Sequence, residues 1–218
     1  MKKLSSFLVG LALTAGTVFA ADTNTATSVN VVGFIAQSNT ANRLYMLNVP
    51  LHAIGGNDSP RLIVDLIGTN VPNGTIVYLW TGTGYAAESF FAGAWSPGTN
   101  LARRCDGFWI KSELGTDLIR AGEVPSVSNT VVQLFPGLQM IGYPYPVSCA
   151  LTNLGLGSVA ANGDIVFKWT GIGWDSASYF AGSWNTNYDF NPGDAFWYKR
   201  DSGASVTNWV INKPYVSP

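Results

Sequence analysis

Enzymes need groups that take a proton, attack, or hold a metal, and this 218-residue chain carries few of them. Its one histidine, His52, lies between Leu51 and Ala53. A general base needs a positioned partner, so a lone histidine here reads as structural. No Gly-x-Ser-x-Gly elbow, P-loop or dinucleotide fingerprint occurs. Carboxylates are present, and a glycosidase needs two of them flanking one bond. Glu88, Asp106, Glu113, Asp117 and Glu123 stand in the first half of the chain, and Asp194 in the second. One histidine and two cysteines exclude zinc-finger and multi-histidine metal sites. Asn185, Asn187, Asp189, Asn191 and Asp194 supply oxygens for a weak calcium site, but EF-hand spacing is absent, because Gly193 falls too late and no terminal Glu follows. Such residues more often close turns through their own backbone. No metal and no cofactor is expected.

The aromatic residues carry the remaining binding chemistry: 8 Trp, 9 Tyr and 11 Phe. Flat rings stack on the weakly apolar C–H faces of sugars. Tyr85 and Trp174 follow Gly-rich turns, where side chains reach solvent, and Trp95 and Trp184 lie in Gly-x-Trp turns. These four are the candidate ligand-binding residues. The competing role is core filling, which strand alternation favours for Trp80, Trp109, Trp169 and Trp197.

The elements that must hold these rings come in two copies. Gly74 to Trp95 aligns without a gap on Gly163 to Trp184, 89 residues later, with 12 of 22 positions identical. Within it Tyr85 meets Trp174, and Glu88 meets Ala177, so a catalytic carboxylate there is not kept. Gly107 to Lys111 then meets Ala195 to Lys199, Leu47 to Pro50 meets Ile141 to Pro144, and Val31-Val32 meets Val131-Val132. We read this as a tandem duplication: residues 21–124 form one β unit and 125–218 a second. The joining stretch, Ala121 to Ser126, has no long Gly, Ser or Pro run, which favours two units packed together over two separate beads.

Ile76, Tyr78 and Trp80 alternate with Val77 and Leu79, and Ile165, Phe167 and Trp169 with Val166 and Lys168. That is the period of a strand, with Lys168 marking the wetter face. Thr81-Gly82-Thr83-Gly84 and Thr170-Gly171-Ile172-Gly173 predict hairpin turns. One short helix is predicted, capped by Asp58 or Ser59, begun at Pro60, striped by Leu62, Ile63, Leu66 and Ile67, and stopped by Gly68. The fold class is all-β: two tandem β-sandwich-like units packed together, with a short helix in the first.

Lys2 and Lys3, an apolar run from Leu4 to Ala15, and Val18-Phe19-Ala20 read as a secretory signal peptide over residues 1–20, cut after Ala20. The expected location is beyond the inner membrane: periplasm, outer surface or extracellular space. No later segment reaches transmembrane length. In that oxidising space Cys105 and Cys149 are a disulfide candidate, worth about 4 kcal/mol in the chain-entropy model; the alternative is two free thiols. A formal net charge of -1 leaves no electrostatic footprint for nucleic acid.

The run Met140 to Pro146, Gly163 to Gly173, and Gly193 to Lys199 resembles modules in exported surface proteins of Gram-negative bacteria, and Ser28 to Gly33 is similar to their S-V-N-V-V-G opening. The likeness takes in Gly122 to Pro125 and Asn208-Trp209, so it spans nearly all of the chain after the leader. It implies a two-repeat β architecture and export, and brings no activity with it. Three functions follow in order of preference: a non-enzymatic secreted or cell-surface structural or adhesive protein, which self-associates or meets a cell-surface protein or glycan; a glycan-binding module using Tyr85 and Trp174; and a carbohydrate hydrolase relying on Glu88, Asp106 or Asp194.

Overall fold

The computed structural model describes residues 31–55 and 58–216; the leader expected over residues 1–20 lies outside them. In the first half the order is β1 (Val32–Asn39), β2 (Leu44–Asn48), β3 (Arg61–Leu62), α1 (Ile63–Ile67), β4 (Thr75–Trp80), β5 (Tyr85–Phe91), β6 (Ala94–Ser96), β7 (Leu101–Ala102), β8 (Gly107–Lys111) and β9 (Thr116–Glu123). In the second it is β10 (Asn129–Leu134), β11 (Gly137–Gly142), β12 (Cys149–Ala150), two 3-10 turns (Leu151–Asn153 and Leu156–Ser158), β13 (Ile165–Trp169), β14 (Trp174–Phe180), β15 (Ser183–Trp184), β16 (Asp189–Phe190), β17 (Ala195–Arg200) and β18 (Thr207–Asn212).

One five-stranded sheet runs β2-β8-β4-β5-β6 and the other β11-β17-β13-β14-β15. Two-stranded ribbons accompany each: β1-β9 and β3-β7, then β10-β18 and β12-β16. All pairs are antiparallel, and each pairing in one half has one of the same order in the other. The hairpins form where the sequence places them. Gly82 and Gly171 take φ of 99° and 95°, a backbone region glycine enters freely, and the Thr81 and Thr170 N–H groups donate to the Gly84 and Gly173 carbonyls at 2.9 and 3.0 Å. The outermost ribbon is out of the expected register. Val32 lies opposite Glu123 but Val132 opposite Trp209. Superposing the last strands on buried Leu118 and Trp209 brings Val132 onto Gln37; Val31, Val32 and Val131 are exposed, while Val132 packs against the second core.

The helix is shorter than predicted. Arg61–Leu62 is a strand paired with Leu101–Ala102, Leu62 is the N-cap without a side-chain bond, and Asp58 is drawn off to an ion pair with Arg104. The stop is as expected: Gly68, at φ 79°, donates its N–H to the Val64 carbonyl at 2.9 Å.

Each sheet buries one face, and the other is covered at its central strands, while β5 and β14 leave that second face exposed. One face of the first packs Leu47, Val77, Leu79, Phe108 and Ile110 against Ile63, Leu66 and Ile67 of α1. The corresponding face of the second packs Ile141, Val166, Phe196 and Tyr198 against Leu151, Leu154, Leu156 and Trp209. The other two faces meet in a third cluster of Met46, Tyr78, Trp80, Trp109, Met140, Phe167, Trp169, Ala195 and Trp197. This inverts the reading of β13. Lys168 shares the face of core residue Val166, reaches over the Phe190 ring and donates to the Asp189 carbonyl, while Phe167 and Trp169 point into the seam between halves.

Contacts across the seam come in pairs. Trp80 packs edge-on against Trp197 (5.1 Å, 88°) and Trp109 against Trp169 (5.5 Å, 85°). Trp80 Nε1 donates to the Leu138 carbonyl at 3.1 Å, and Trp169 Nε1 to the Leu44 carbonyl at 2.9 Å. Asn48 N–H donates to Gly193 O at 2.8 Å, and Gly142 N–H to Cys105 O at 2.9 Å. Every member of these pairs except Leu44 and Leu138 lies in, or next to, a stretch that the internal alignment equates. Such edge-to-face ring pairs add about 1 kcal/mol each beyond area burial. The approach is close enough to exclude side chains: a Cβ on Gly142 would sit 2.1 Å from Asn48 Nδ2, and one on Gly107 2.5 Å from Met140 Cγ.

Candidate functional site

The seam does not close evenly at its borders. Tyr85 pairs across the hairpin with Trp80, and Trp174 with Trp169, because both follow the turn by one residue. That puts each ring at the rim of the seam instead of inside it, 49% and 46% exposed. Tyr85 leans on Trp80 (5.3 Å) and Tyr78 (6.3 Å); Trp174 leans on Trp169 (5.1 Å) and Phe167 (6.4 Å). Both rings also reach Trp109, whose Nε1 donates to the Tyr85 hydroxyl at 3.2 Å and whose ring lies 5.8 Å from that of Trp174. The structure thus brings the two foremost sequence candidates to a common neighbour.

Beside Trp174 lies a groove of about 700 Å³ lined by Gly137, Leu138, Phe167, Trp174, Trp197 and Lys199. Strand alternation builds it: Trp197 and Lys199 are two apart on β17, with Leu138 opposite Lys199 and Phe167 opposite Trp197. Lys199 is exposed and makes no ion pair among the described residues. Trp197, Phe167 and Lys199 were not singled out as ligand residues. Their shared face with Trp169 was visible in the alternation, but nothing local says that a seam stops there.

Trp95 and Trp184 do not join this site. Trp95 is buried against Phe90 (5.4 Å) and donates Nε1 to the Gly68 carbonyl at 2.8 Å, which ties β6 to the end of α1. Trp184 is half-buried against Tyr179 (5.0 Å).

Glu88, Asp106 and Asp194 each accept one backbone N–H, and Glu88 Oε2 stays buried without a hydrogen-bond partner. Glu88 is 1% exposed and accepts the Asn100 N–H at 2.6 Å. Asp106 accepts the Arg103 N–H at 2.8 Å and Asp194 the Asn191 N–H at 2.9 Å, each closing the turn before a seam strand. Burial pushes both carboxyls up, against the pull of those N–H groups and neighbouring cations. In the Asn-rich loop, Asn185 Oδ1 accepts the Ser178 N–H at 2.9 Å and Asn187 Oδ1 the Thr152 N–H at 3.1 Å. Only Asp194 closes a local turn; Asn185 and Asn187 tie the loop to β14 and to the first 3-10 turn, and the backbone of Asp189 is paired to Ala150.

Cys105 and Cys149 are free thiols, so the expected disulfide is corrected. Cys105 is fixed in the seam wall at φ 74°, its N–H bonded to Val49 O at 3.0 Å and its carbonyl to Gly142 N–H. Cys149 stands on β12 beside Tyr143 and turns its Sγ to the Ala150 carbonyl at 3.6 Å. Each thiol is thus packed into its own wall. Burial pushes the Cys105 thiol up to about 12, which suppresses the nucleophilic thiolate.

His52 has a carboxylate partner that the sequence does not reveal. It is 7% exposed, with Nε2 3.2 Å from Asp58 Oδ1, and its backbone pairs with Glu123. Arg104 grips the same carboxylate at 2.5 and 3.1 Å. Burial raises the Asp58 carboxyl, but the Arg104 hydrogen bonds and charge, with His52 behind them, hold it below its ordinary value. Arg120, on the inner side of β9, was unforeseen. Its guanidinium is buried, donates to the Asn48 carbonyl, and is pushed down to about 10 by burial against the partial support of Asp194.

No protein-family model, no curated protein and no solved structure matches this chain.

Proposed function

We propose that this chain is a non-enzymatic, exported adhesive module that holds glycan chains on the aromatic rim of its seam, with Tyr85 and Trp174 as the stacking residues. The observation that carries the reading is the half-exposure of these two rings, both resting on Trp109, beside an apolar groove. Trp174 is the one tryptophan classed as exposed among the described residues, and exposed apolar patches are characteristic of binding sites. The occupied carboxylates and the buried thiol support a binding role over a catalytic one. Export rests on Lys2, Lys3 and the apolar run that follows, and on the resemblance to exported repeat modules.

The test is retention on immobilised polysaccharides by the chain lacking residues 1–20. Replacing Tyr85 and Trp174 together by Ala is expected to abolish retention while shifting the unfolding midpoint by only a few degrees. Wild-type protein that is retained on none of a broad polysaccharide panel overturns the glycan reading. Cell fractionation of the full chain checks the export reading, with accumulation in the cytoplasm counting against it.

A further inference from the structure

We infer that each border of the seam carries an elongated platform for a linear glycan chain, with Phe91 and Phe180 as the second stacking residues; this rests on the glycan-binding reading and adds two residues and the length class of the ligand. A strand turns alternate side chains to one face. Tyr85, Ala87, Ser89 and Phe91 therefore share one face of β5, and Trp174, Ser176, Ser178 and Phe180 the matching face of β14. The opposite faces hold the buried residues, Glu88 and Phe90 in the first copy and Ala177 in the second. Phe91 is 71% and Phe180 68% exposed, and neither ring packs on another ring among the described residues.

Six residues of extended strand separate the two rings of each strip, a span of about 20 Å. The floor between them is Ala87 and Ser89 in one strip and Ser176 and Ser178 in the other, side chains too short to interrupt a flat ligand. In the second half the strip continues the groove, because groove residue Phe167 lies opposite Ser176. A disaccharide on Tyr85 or Trp174 ends short of the phenylalanine, whereas an extended chain of several pyranose rings reaches it. The internal repeat keeps 12 of 22 residues, and Phe91 with Phe180 is among those kept. In both copies an alanine at φ 50° and a glycine follow, so the same tight turn stands beside the same uncovered ring. Core packing accounts for the kept Trp95 and Trp184 but not for an aromatic ring kept in the open, on the same face as a first exposed ring.

The experiment titrates the chain lacking residues 1–20 with cellobiose and cellohexaose, and with the matching disaccharides and hexasaccharides of xylan, mannan and chitin, by calorimetry. For the sugar that binds best, the hexasaccharide is expected to bind about tenfold tighter than the disaccharide, the scale of one further aromatic contact. Phe91→Ala combined with Phe180→Ala is expected to remove that gain and leave the disaccharide affinity unchanged. Because both rings are exposed, the unfolding midpoint should move by about 2 °C or less. Tyr85→Ala combined with Trp174→Ala is expected to lose both lengths. Equal affinity for the two lengths, or a gain indifferent to the phenylalanine variant, overturns the platform and leaves glycan binding standing. Self-association of the wild type that the phenylalanine variant abolishes while the length gain persists assigns these rings to contact between copies and also overturns the platform. A panel in which no hexasaccharide binds overturns the platform, and it overturns both readings when no polysaccharide retains the chain either.

Discussion

At one border of the seam Trp109 hands its indole N–H to a tyrosine hydroxyl; at the other Trp197 lines a groove with a second tryptophan, which has no oxygen to offer. Position 85 and position 174 are aligned, sit at the same step after the same turn, and are exposed to nearly the same degree. One change of ring chemistry removes a hydrogen-bond acceptor from the second border. The two inner cores differ in the same spirit. Where the first half has Thr75 and Ile110, the second has Asp164 and Tyr198, both fully buried, with the Tyr198 hydroxyl donating to the Asp164 carboxylate. Equivalent backbones therefore tolerate different polar solutions, provided that each buried group finds a partner.

The sharpest way to break the comparison is to push the halves apart. Gly142→Val places a branched side chain where Asn48 already stands and is expected to cost about 4 kcal/mol or more, lowering the unfolding midpoint by roughly 10 °C or preventing folding. Trp109→Ala and Trp197→Ala each remove one of the paired ring contacts and are expected to cost about 3–5 kcal/mol in denaturant unfolding. The Trp109 variant should be the worse of the two, because it also strips Tyr85 of its donor and Trp174 of a neighbour. Equal losses would show that the borders are energetically alike.

Smaller changes sharpen the comparison. Tyr198→Phe leaves the Asp164 carboxylate short of a donor and is expected to cost about 1–3 kcal/mol, with no counterpart effect available at Ile110. Trp174→Tyr supplies an acceptor at the open border. It should stabilise the fold by up to about 1 kcal/mol in denaturant unfolding. Asp106→Asn should change stability least at neutral pH and most in its pH profile. Burial raises the folded Asp106 carboxyl above 3.8, so the folded state gains as pH falls from neutral through that raised value to 3.8, and gains nothing below it. Amide substitution keeps an oxygen for the Arg103 N–H and should flatten that part of the profile.

Much of the architecture was legible because it depends on local periods. Alternation around Tyr78 and Phe167, and the Thr-Gly turns, specify strands and hairpins wherever the sheet lies. The stop at Gly68 was legible for the same reason. The start of α1 was not, because Asp58 is a good cap in isolation and a better partner for Arg104, which is distant in sequence. Lys168 suggests a wet face from sequence alone, but β13 lies between the second core and the seam, so neither of its faces is open. Tyr85 and Trp174 were legible as rim residues from their place after the turns. The groove was not, since Lys199 and Leu138 meet Phe167 only through strand pairing.

Asn48 and Gly142 face each other at the closest point between the halves, and they are not the same residue. Two copies of the first half assembled in this geometry would set asparagine against asparagine, with no room for either; two copies of the second would leave a hole between glycines. At this contact the two halves fit each other only because one side is a glycine and the other an asparagine.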